Sequence, residues 1–525
     1  MLAYTKEYGR YMPAKEELLR QKKESFAYEP LISIVIPLYE TPEPYLRELI
    51  DSILAQSYKN WEICFADGSK TDGAACVVME YEKAEKRIRY QKLFKNGGIS
   101  ENTNSGFAMA RGDYIALMDH DDLLCANALY EMVKCLNESY SKDERTLAML
   151  YSDEDKINGD GAVHSRPHFK PDFNLEFLRR NNYFCHFLMF SSLLLQKAGG
   201  LKKEYDGAQD YDFVLRCVDA GAHVRHVPKI LYHWRIHEGS TAGNSADKSY
   251  AFDNGCRAIE AHLKRCNEEG TAKVTSGLGV YQVTYALRGV YSVTVAADKE
   301  QLLRMRRHYQ SISFAEKDYE LRIQYLQTDT LYRGIEKDCS GDYILYLKRN
   351  IKAEPNGLLE HLLGICQHKK NGVAGVKLLE GKRSVASCGL IYDGDGNLIA
   401  SCKGLPAVYK GYFLHAVIPQ NVSAVSFECV MLRKDAFQKL GGLDDAFRGI
   451  YQEADYCFRL AERGYGVVVT PEITAVRRSG IKKTESQADK ALFYERWKQK
   501  LSRPDPCYNC NLSLKEGSTY AMKQP

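Results

Sequence analysis

The chain has 525 residues, of which 45% are hydrophobic and 27% charged, with 72 basic and 68 acidic side chains and a formal net charge of +4. That length exceeds one hydrophobic core and predicts two domains or more, and the near balance of charge leaves no electrostatic footprint for nucleic acid. No run of about 18 apolar residues occurs, residues 1–30 lack the apolar core of a secretory leader, and the 16 cysteines are scattered, so the sequence predicts a cytoplasmic protein with reduced thiols and no spanning helix.

Residues 14–25 read as a charged lead-in helix. Leu31-Ile-Ser-Ile-Val-Ile-Pro37 reads as a buried strand ended by its proline. Leu46, Leu49, Ile50, Ile53 and Leu54 form the apolar stripe of a helix over 45–56. A second strand over 61–66 stops at Asp67-Gly-Ser, a turn-forming set. A helix over 72–87, a short strand over 87–93, an Asn96-Gly-Gly loop, a helix over 100–110 and a strand over 115–118 follow. This alternation predicts a parallel α/β sheet with its ligand crevice at the strand C-termini. Farther on, 147–152 reads as a strand stopping at Asp153-Glu-Asp155. Residues 171–180 read as a helix start, 209–217 as a helix, 226–234 as a strand and 245–266 as a helix before a glycine-containing linker.

The strand over 115–118 runs into Asp119-His-Asp121-Asp122. Three acids within four residues repel one another, and a divalent cation offsets that repulsion. Hard Mg²⁺ or Mn²⁺ takes carboxylate oxygens and leaves positions for phosphate oxygens. The cluster therefore predicts a site for metal-assisted departure of a phosphate leaving group.

The second half repeats the first. Gly112-Asp-Tyr-Ile-Ala-Leu-Met-Asp119 matches Gly341-Asp-Tyr-Ile-Leu-Tyr-Leu-Lys348, 229 residues on. Gln209-Asp-Tyr-Asp-Phe-Val-Leu-Arg216 matches Gln452-Glu-Ala-Asp-Tyr-Cys-Phe-Arg459, 243 residues on, and Gly221 and Pro228 recur at the same spacing as Gly464 and Pro471. So long a period indicates a duplicated domain rather than a solenoid.

The ordered set Ser33-Ile-Val-Ile-Pro-Leu-Tyr39-Glu40, Ala66-Asp67-Gly-Ser, Gly112-Asp-Tyr-Ile, Asp119-His-Asp121-Asp122, Tyr151-Ser-Asp-Glu-Asp155, Gln209-Asp210 and Tyr232-His233-Trp-Arg-Ile-His237 resembles a family 2 glycosyltransferase. The resemblance implies the GT-A fold, an α/β nucleotide-diphospho-sugar transferase domain, here duplicated in tandem with a degenerate second copy. The second half resembles the C-terminal domain of tandem enzymes such as bacterial surface-polysaccharide rhamnosyltransferases. The implied plan is a helical lead-in (1–29), a catalytic domain (30–242), a helix and linker (243–285), a degenerate GT-A-like domain (286–485) and a C-terminal helix and tail (486–525).

The resemblance also implies roles. Asp67 accepts the N3–H of uracil or thymine, with Pro37, Tyr39 and Glu40 beside the base and ribose and Asn104 near the nucleotide. Asp121 ligates Mn²⁺ or Mg²⁺, Asp119 contacts the metal or the ribose, Asp122 caps the next helix, and His233, 23 residues after Asp210, is a further ligand. Asp210 is the base that deprotonates an acceptor hydroxyl. The implied partners are a nucleotide-sugar donor, dTDP-rhamnose or a UDP-sugar, and a glycan or lipid-linked glycan acceptor, with peripheral attachment to the inner face of the cell membrane. In the second copy Asp119, His120 and Asp121 become Lys348, Arg349 and Asn350, His233 becomes Val476, and Glu453 stands at the base position. Asp153, Glu154 and Asp155 read equally as an acceptor-side wall or a solvated acidic loop. A hydrolase or nucleotidyltransferase, and an inactive glycan-binding or scaffolding protein, are the competing functions.

Overall fold

The computed structural model describes residues 2–237, 249–275, 279–349, 351–478, 486–515 and 519–523. Asn350, parts of the 243–285 linker and residues 516–518 of the tail lie outside the described residues. The chain forms two compact units. The first comprises residues 1–173, 181–267 and 272–281, and the second residues 174–180, 268–271 and 282–525. The lead-in therefore belongs to the first unit, which it joins through helices Leu2–Glu7 and Lys15–Gln21.

In the first unit, nine strands form one sheet: β1 (Ile32–Leu38), β2 (Trp61–Asp67), β3 (Ile88–Lys92), β4 (Tyr114–Leu117), β5 (Leu123–Leu124), β6 (Ala148–Ile157), β7 (His164–His168), β8 (Leu188–Ser191) and β9 (His223–Arg235). Their order is β3-β2-β1-β4-β8-β6-β9-β5, with β7 on β6. β1 is parallel to β2 and β4, and β6 to β9, but β8 runs antiparallel to both β4 and β6. The expected parallel sheet is present and carries antiparallel strands as well. β1 and β2 are buried along their whole length, so apolar residues fill both faces, and the interrupting Ser33 and Glu62 bond to each other at 2.6 Å. Helix Glu43–Leu54 lays Leu46, Leu49, Ile50 and Ile53 into the same core as Ile34, Ile36, Ile63 and Phe65. Each such buried side chain contributes about 1.5–3 kcal/mol.

Two strand ends differ from expectation. Pro37 does not end β1 but pairs with Ala66 inside it. The Val35 carbonyl accepts from Met118 on the β4 side, and by alternation Pro37 faces the same side, where β4 has already ended at Leu117. A missing N–H there removes no ladder bond. β6 runs on through Asp153, Glu154 and Asp155, which are buried and not a solvated loop.

In the second unit the sheet order is 319–327, 289–297, 343–347, 429–433, 371–380, 466–477, 351–353. Strand for strand this is the order β2-β1-β4-β8-β6-β9-β5, with the same parallel and antiparallel pairings. The duplication extends to buried ion pairs. Arg216 pairs with Asp212 at 2.8 Å and donates to the Gly199 and Gly200 carbonyls; Arg459 pairs with Asp455 at 2.8 Å and donates to the Leu440 and Gly442 carbonyls. Each arginine thereby fixes the Gly-Gly-Leu turn of its own copy.

Glycine is required at the strand entry of both copies. A Cβ on Gly112 would lie 2.7 Å from the Leu31 carbonyl oxygen, Ser33 N and Ser33 Oγ, and one on Gly341 would lie 2.5 Å from Thr294 N. Gly112→Ala is expected to destabilise the first unit by about 1–3 kcal/mol in urea unfolding. Gly73→Ala, at a helix start with nothing within 4 Å, is the control and should be neutral or slightly stabilising. Equal stability of Gly112→Ala and wild type would contradict the packing described.

Candidate active site

The C-terminal ends of β1 and β2 carry four of the expected nucleotide residues. Asp67 is fully buried. Its Oδ1 accepts from Ser69 N–H at 2.8 Å, and its Oδ2 from the Tyr90 hydroxyl at 2.6 Å and Lys92 Nζ at 3.2 Å. Burial pushes its pKa up, but the bonds from Ser69, Tyr90 and Lys92 outweigh that and hold it below the usual carboxylate value. A carboxylate offers about four lone-pair sites, and the Ser69 hydroxyl and N–H, Tyr90 and Lys92 engage that many. Glu40 follows at φ 47° and ties the loop together. Its N–H donates to Ser69 Oγ, and its carboxylate accepts from Lys70 N–H and Thr71 Oγ1. Pro37 is buried and Tyr39 is 41% exposed beside it.

The acids after β4 are sorted by β9. Asp122 is fully buried and accepts from the Tyr232 hydroxyl at 2.6 Å and the Arg235 N–H at 2.7 Å. It joins the loop to β9 and does not cap the following helix. Burial first, and then the charges of Asp119 and Asp121, push its pKa well up. Asp121 Oδ2 meets His237 Nε2 at 2.7 Å. Asp119 stays half-exposed, 3.8 Å from His186 Nε2. Its pKa is raised, first by partial withdrawal from water and then by Asp121 and Asp210, while His186 and His120 act against the rise. One donor atom each from Asp119, Asp122 and His186 lies within 4.8 Å of the others.

The imidazole beside Asp121 is therefore His237, not His233. His233 is buried with Nδ1 2.6 Å from Asp155 Oδ1, inside a separate cluster. There Asp155 Oδ2 also contacts His164 Nδ1 at 2.7 Å and the Tyr4 hydroxyl at 2.7 Å. Both histidines belong to the Tyr232–His237 motif, and their spacing from Asp210 does not distinguish them. Only the path of the chain beyond the end of β9 does.

Asp210 opens the helix Gln209–Asp219. Its Oδ2 accepts from Asn182 Nδ2 and from the Cys185 thiol, both at 3.0 Å. Oδ1 has no protein partner among the described residues. Asp210 is near enough to Asp119 for its charge to raise that carboxyl. Asn104 is placed otherwise than expected. Its amide donates to the Leu201 carbonyl and accepts the Leu201 N–H, each at 2.8 Å, so both ends hold the Gly199-Gly-Leu turn rather than facing a nucleotide.

The three β6 acids each have a basic side chain or imidazole as partner. Asp153 meets His226 Nε2 at 2.8 Å, and Glu154 meets Lys156 Nζ at 2.8 Å and Lys170 Nζ at 3.0 Å. Burial alone would raise Glu154, but the two lysines outweigh it and hold the carboxyl far below its usual value. Paired and buried, these acids do not form an acceptor-side wall.

A model of the family described as "Glycosyl transferase family 2" matches residues 33–196. An O-antigen biosynthesis protein, RfbC, from Myxococcus xanthus is 28% identical over 96% of this chain and 42% of its own length, and an uncharacterized Sinorhizobium fredii protein is 28% identical over 94% of this chain and 59% of its own. This chain thus spans about half the length of these curated relatives. An uncharacterized glycosyltransferase of Methanocaldococcus jannaschii is 30% identical over 40% of this chain and 71% of its own length. Among solved structures, Staphylococcus aureus TarS in complex with UDP-GlcNAc aligns at 18% identity and a TM-score of 0.37, over 44% of this chain and 66% of that one.

The β6–β9 charge pairs make stability depend on pH. His226 lies between Asp153 and Asp172; burial alone would lower its pKa, but the two carboxylates outweigh that and raise it to about 8. Its folded value thus exceeds the ordinary 6.5, so its stabilisation is fully present below about pH 6.5 and is lost as pH rises through about 8. The size is about 2 kcal/mol. Urea unfolding at pH 6 and pH 8.5 should show this loss in wild type but not in His226→Gln. An equal pH dependence in both would contradict the pairing.

Proposed function

The chain belongs to glycosyl transferase family 2, and from that we propose that its first unit is an inverting, metal-dependent transferase. It moves a sugar from a nucleoside-diphosphate donor, dTDP-rhamnose or a UDP-sugar, to a growing bacterial surface or cell-wall glycan. The observation that supports this reading is Asp121 at 2.7 Å from His237, with Asp119 close to Asp122 and His186 and within electrostatic reach of Asp210, whose Oδ1 is unengaged among the described residues. The name of the Myxococcus xanthus relative supports the polysaccharide acceptor.

Asp121 and His237 would hold a divalent cation, with Asp119 of the same loop as a further carboxylate, and the imidazole favours Mn²⁺ over the harder Mg²⁺. Such a cation supplies positive charge to a departing diphosphate. The rest falls to the chain's own side chains. Asp67, with Tyr39 and Glu40 near it, receives the base and ribose, a ligand N–H replacing one of its present donors. Asp122, buried under Tyr232 and Arg235, keeps the loop from rearranging. Asn182 and Cys185 orient the Asp210 carboxylate and leave Oδ1 toward the acceptor. As the acceptor oxygen bonds to C1, the C1–O bond to the diphosphate breaks and the hydroxyl proton passes to Asp210. A single displacement of this kind inverts the anomeric centre.

The second unit is assigned no chemistry. Lys348 and Arg349 replace the first two residues of the acidic set, and Gly480, outside the described residues, stands at the His237 position. Arg477 pairs with Glu428 at 2.9 Å and Arg478 with Glu300 at 2.8 Å, so the edge is closed by ion pairs.

A panel of nucleotide sugars assayed for UDP or dTDP release, with and without Mn²⁺, tests the reading. Asp210→Asn should lower kcat by about 10²–10⁴-fold with donor binding retained. Asp121→Ala and His237→Ala should lose metal-dependent turnover, and Glu453→Gln should leave it intact. Unchanged turnover in Asp121→Ala at saturating Mn²⁺, or a second activity lost in Glu453→Gln, would refute the assignment.

A further inference from the structure

The second unit carries an apolar loop that its own core does not cover. Residues 402–414 read Cys-Lys-Gly-Leu-Pro-Ala-Val-Tyr-Lys-Gly-Tyr-Phe-Leu. The base of the loop is fixed against residues 383–385. Gly404 N–H donates to the Val385 carbonyl, Val385 N–H to the Leu405 carbonyl and Ala407 N–H to the Arg383 carbonyl, at 2.8–2.9 Å. Leu405 and Ala407 pack on the cluster of Leu379, Val385, Cys388, Cys402 and Ala416. Beyond that anchor the apolar side chains turn outward. Val408 is 89% exposed, Tyr409 48% and Phe413 37%. The far side is held as firmly as the base. Gly411 at φ 80° leaves no room for a Cβ, which would lie 2.8 Å from Ala416 N, and Phe413 and Leu414 adopt φ 40° and 70°. Non-glycine residues stay in that region only where their surroundings impose it.

Cations flank the exposed apolar residues along the chain and in the paired turn. Lys403 and Lys410 lie in the loop, and Lys382 and Arg383 in the turn paired with it, all exposed. Glu380, the acid next to that turn in sequence, is engaged by Arg477 at 3.2 Å.

We propose that this loop is a membrane-docking surface: Val408, Tyr409 and Phe413 enter the headgroup region of a bilayer while Lys382, Arg383 and Lys410 meet anionic phospholipid. Exposed apolar side chains on one anchored loop mark an interaction surface. Tyrosine and phenylalanine near an aliphatic residue suit the boundary between headgroups and acyl chains, and three cations complement an anionic leaflet. An aliphatic side chain at the apex offers nothing to a sugar, which favours lipid over glycan as the occupant. No helix among the described residues is long and apolar enough to cross a membrane, so the contact is interfacial. The proposal does not depend on which donor or acceptor the first unit uses.

Flotation of the full chain with vesicles of phosphatidylethanolamine and phosphatidylglycerol, and with phosphatidylcholine vesicles, tests it. Wild type should float with the anionic vesicles and far less with the neutral ones, and added salt should weaken binding. Lys382→Gln, Arg383→Gln and Lys410→Gln should each weaken binding about fivefold, on the order of a hundredfold together. Val408→Asp should abolish binding. All these residues are exposed, so thermal melts and nucleotide-sugar turnover should match wild type, and this separates failure of docking from failure of the transferase reading. Equal binding by the variants, equal binding to neutral vesicles, or no binding to anionic ones would overturn the proposal. So would a dimer in sedimentation that Val408→Asp dissociates, since a second copy would then cover the loop.

Discussion

Mutual repulsion among Asp119, Asp121 and Asp122 is the constraint that organises the first unit. Three carboxylates follow a four-residue strand, and they cannot share one environment at neutral pH. β9 resolves this by giving each a different one. Asp122 is taken inside by the Tyr232 hydroxyl and the Arg235 N–H, Asp121 meets His237, and Asp119 stays half in water. The sorting extends one strand farther, because β6 is parallel to β9 and brings its own acids to His226, His233 and the lysines. A charge buried without a partner costs several kcal/mol, so these pairings hold the register of the sheet that presents the site.

The apolar skeleton was legible in the sequence because its elements are buried on predictable faces. β1 and β2 are mostly apolar, and the stripe Leu46, Leu49, Ile50, Ile53 faces the core as its spacing requires. The failures are places where a partner distant in sequence decides. Asp153-Glu-Asp155 looks like a solvated loop until Lys156, Lys170, His226 and His233 are brought alongside, and then the strand simply continues. Asn104 looks available until Leu201, 97 residues on, closes both ends of its amide. His233 and His237 cannot be ranked without knowing where β9 ends. Helix Ala128–Ser139 follows the acids without a strong start signal: Asn127 makes no side-chain cap bond to it and is engaged with Glu131 instead.

Duplication separates what the fold needs from what the chemistry needs. Both copies keep the strand order, the crowded strand-entry glycine and the aspartate–arginine pair that braces the Gly-Gly-Leu turn. Those features answer to packing, and packing is the same in each copy. At the acidic set the copies part: Lys348 and Arg349 stand where Asp119 and His120 do, and Arg477 and Arg478 pair with Glu428 and Glu300. Retained bracing beside lost acids is what a domain kept for its shape would show.

The central claim is that β9 and the acidic loop together make one cation site, with His237 as its imidazole. Calorimetric titration of Mn²⁺ into the chain with UDP or dTDP present tests this without depending on the acceptor. The account predicts one Mn²⁺ per chain, lost in Asp121→Ala and His237→Ala and retained in His233→Ala, provided that variant keeps its fold by circular dichroism. Loss of binding in a folded His233→Ala, with His237→Ala unaffected, would contradict it.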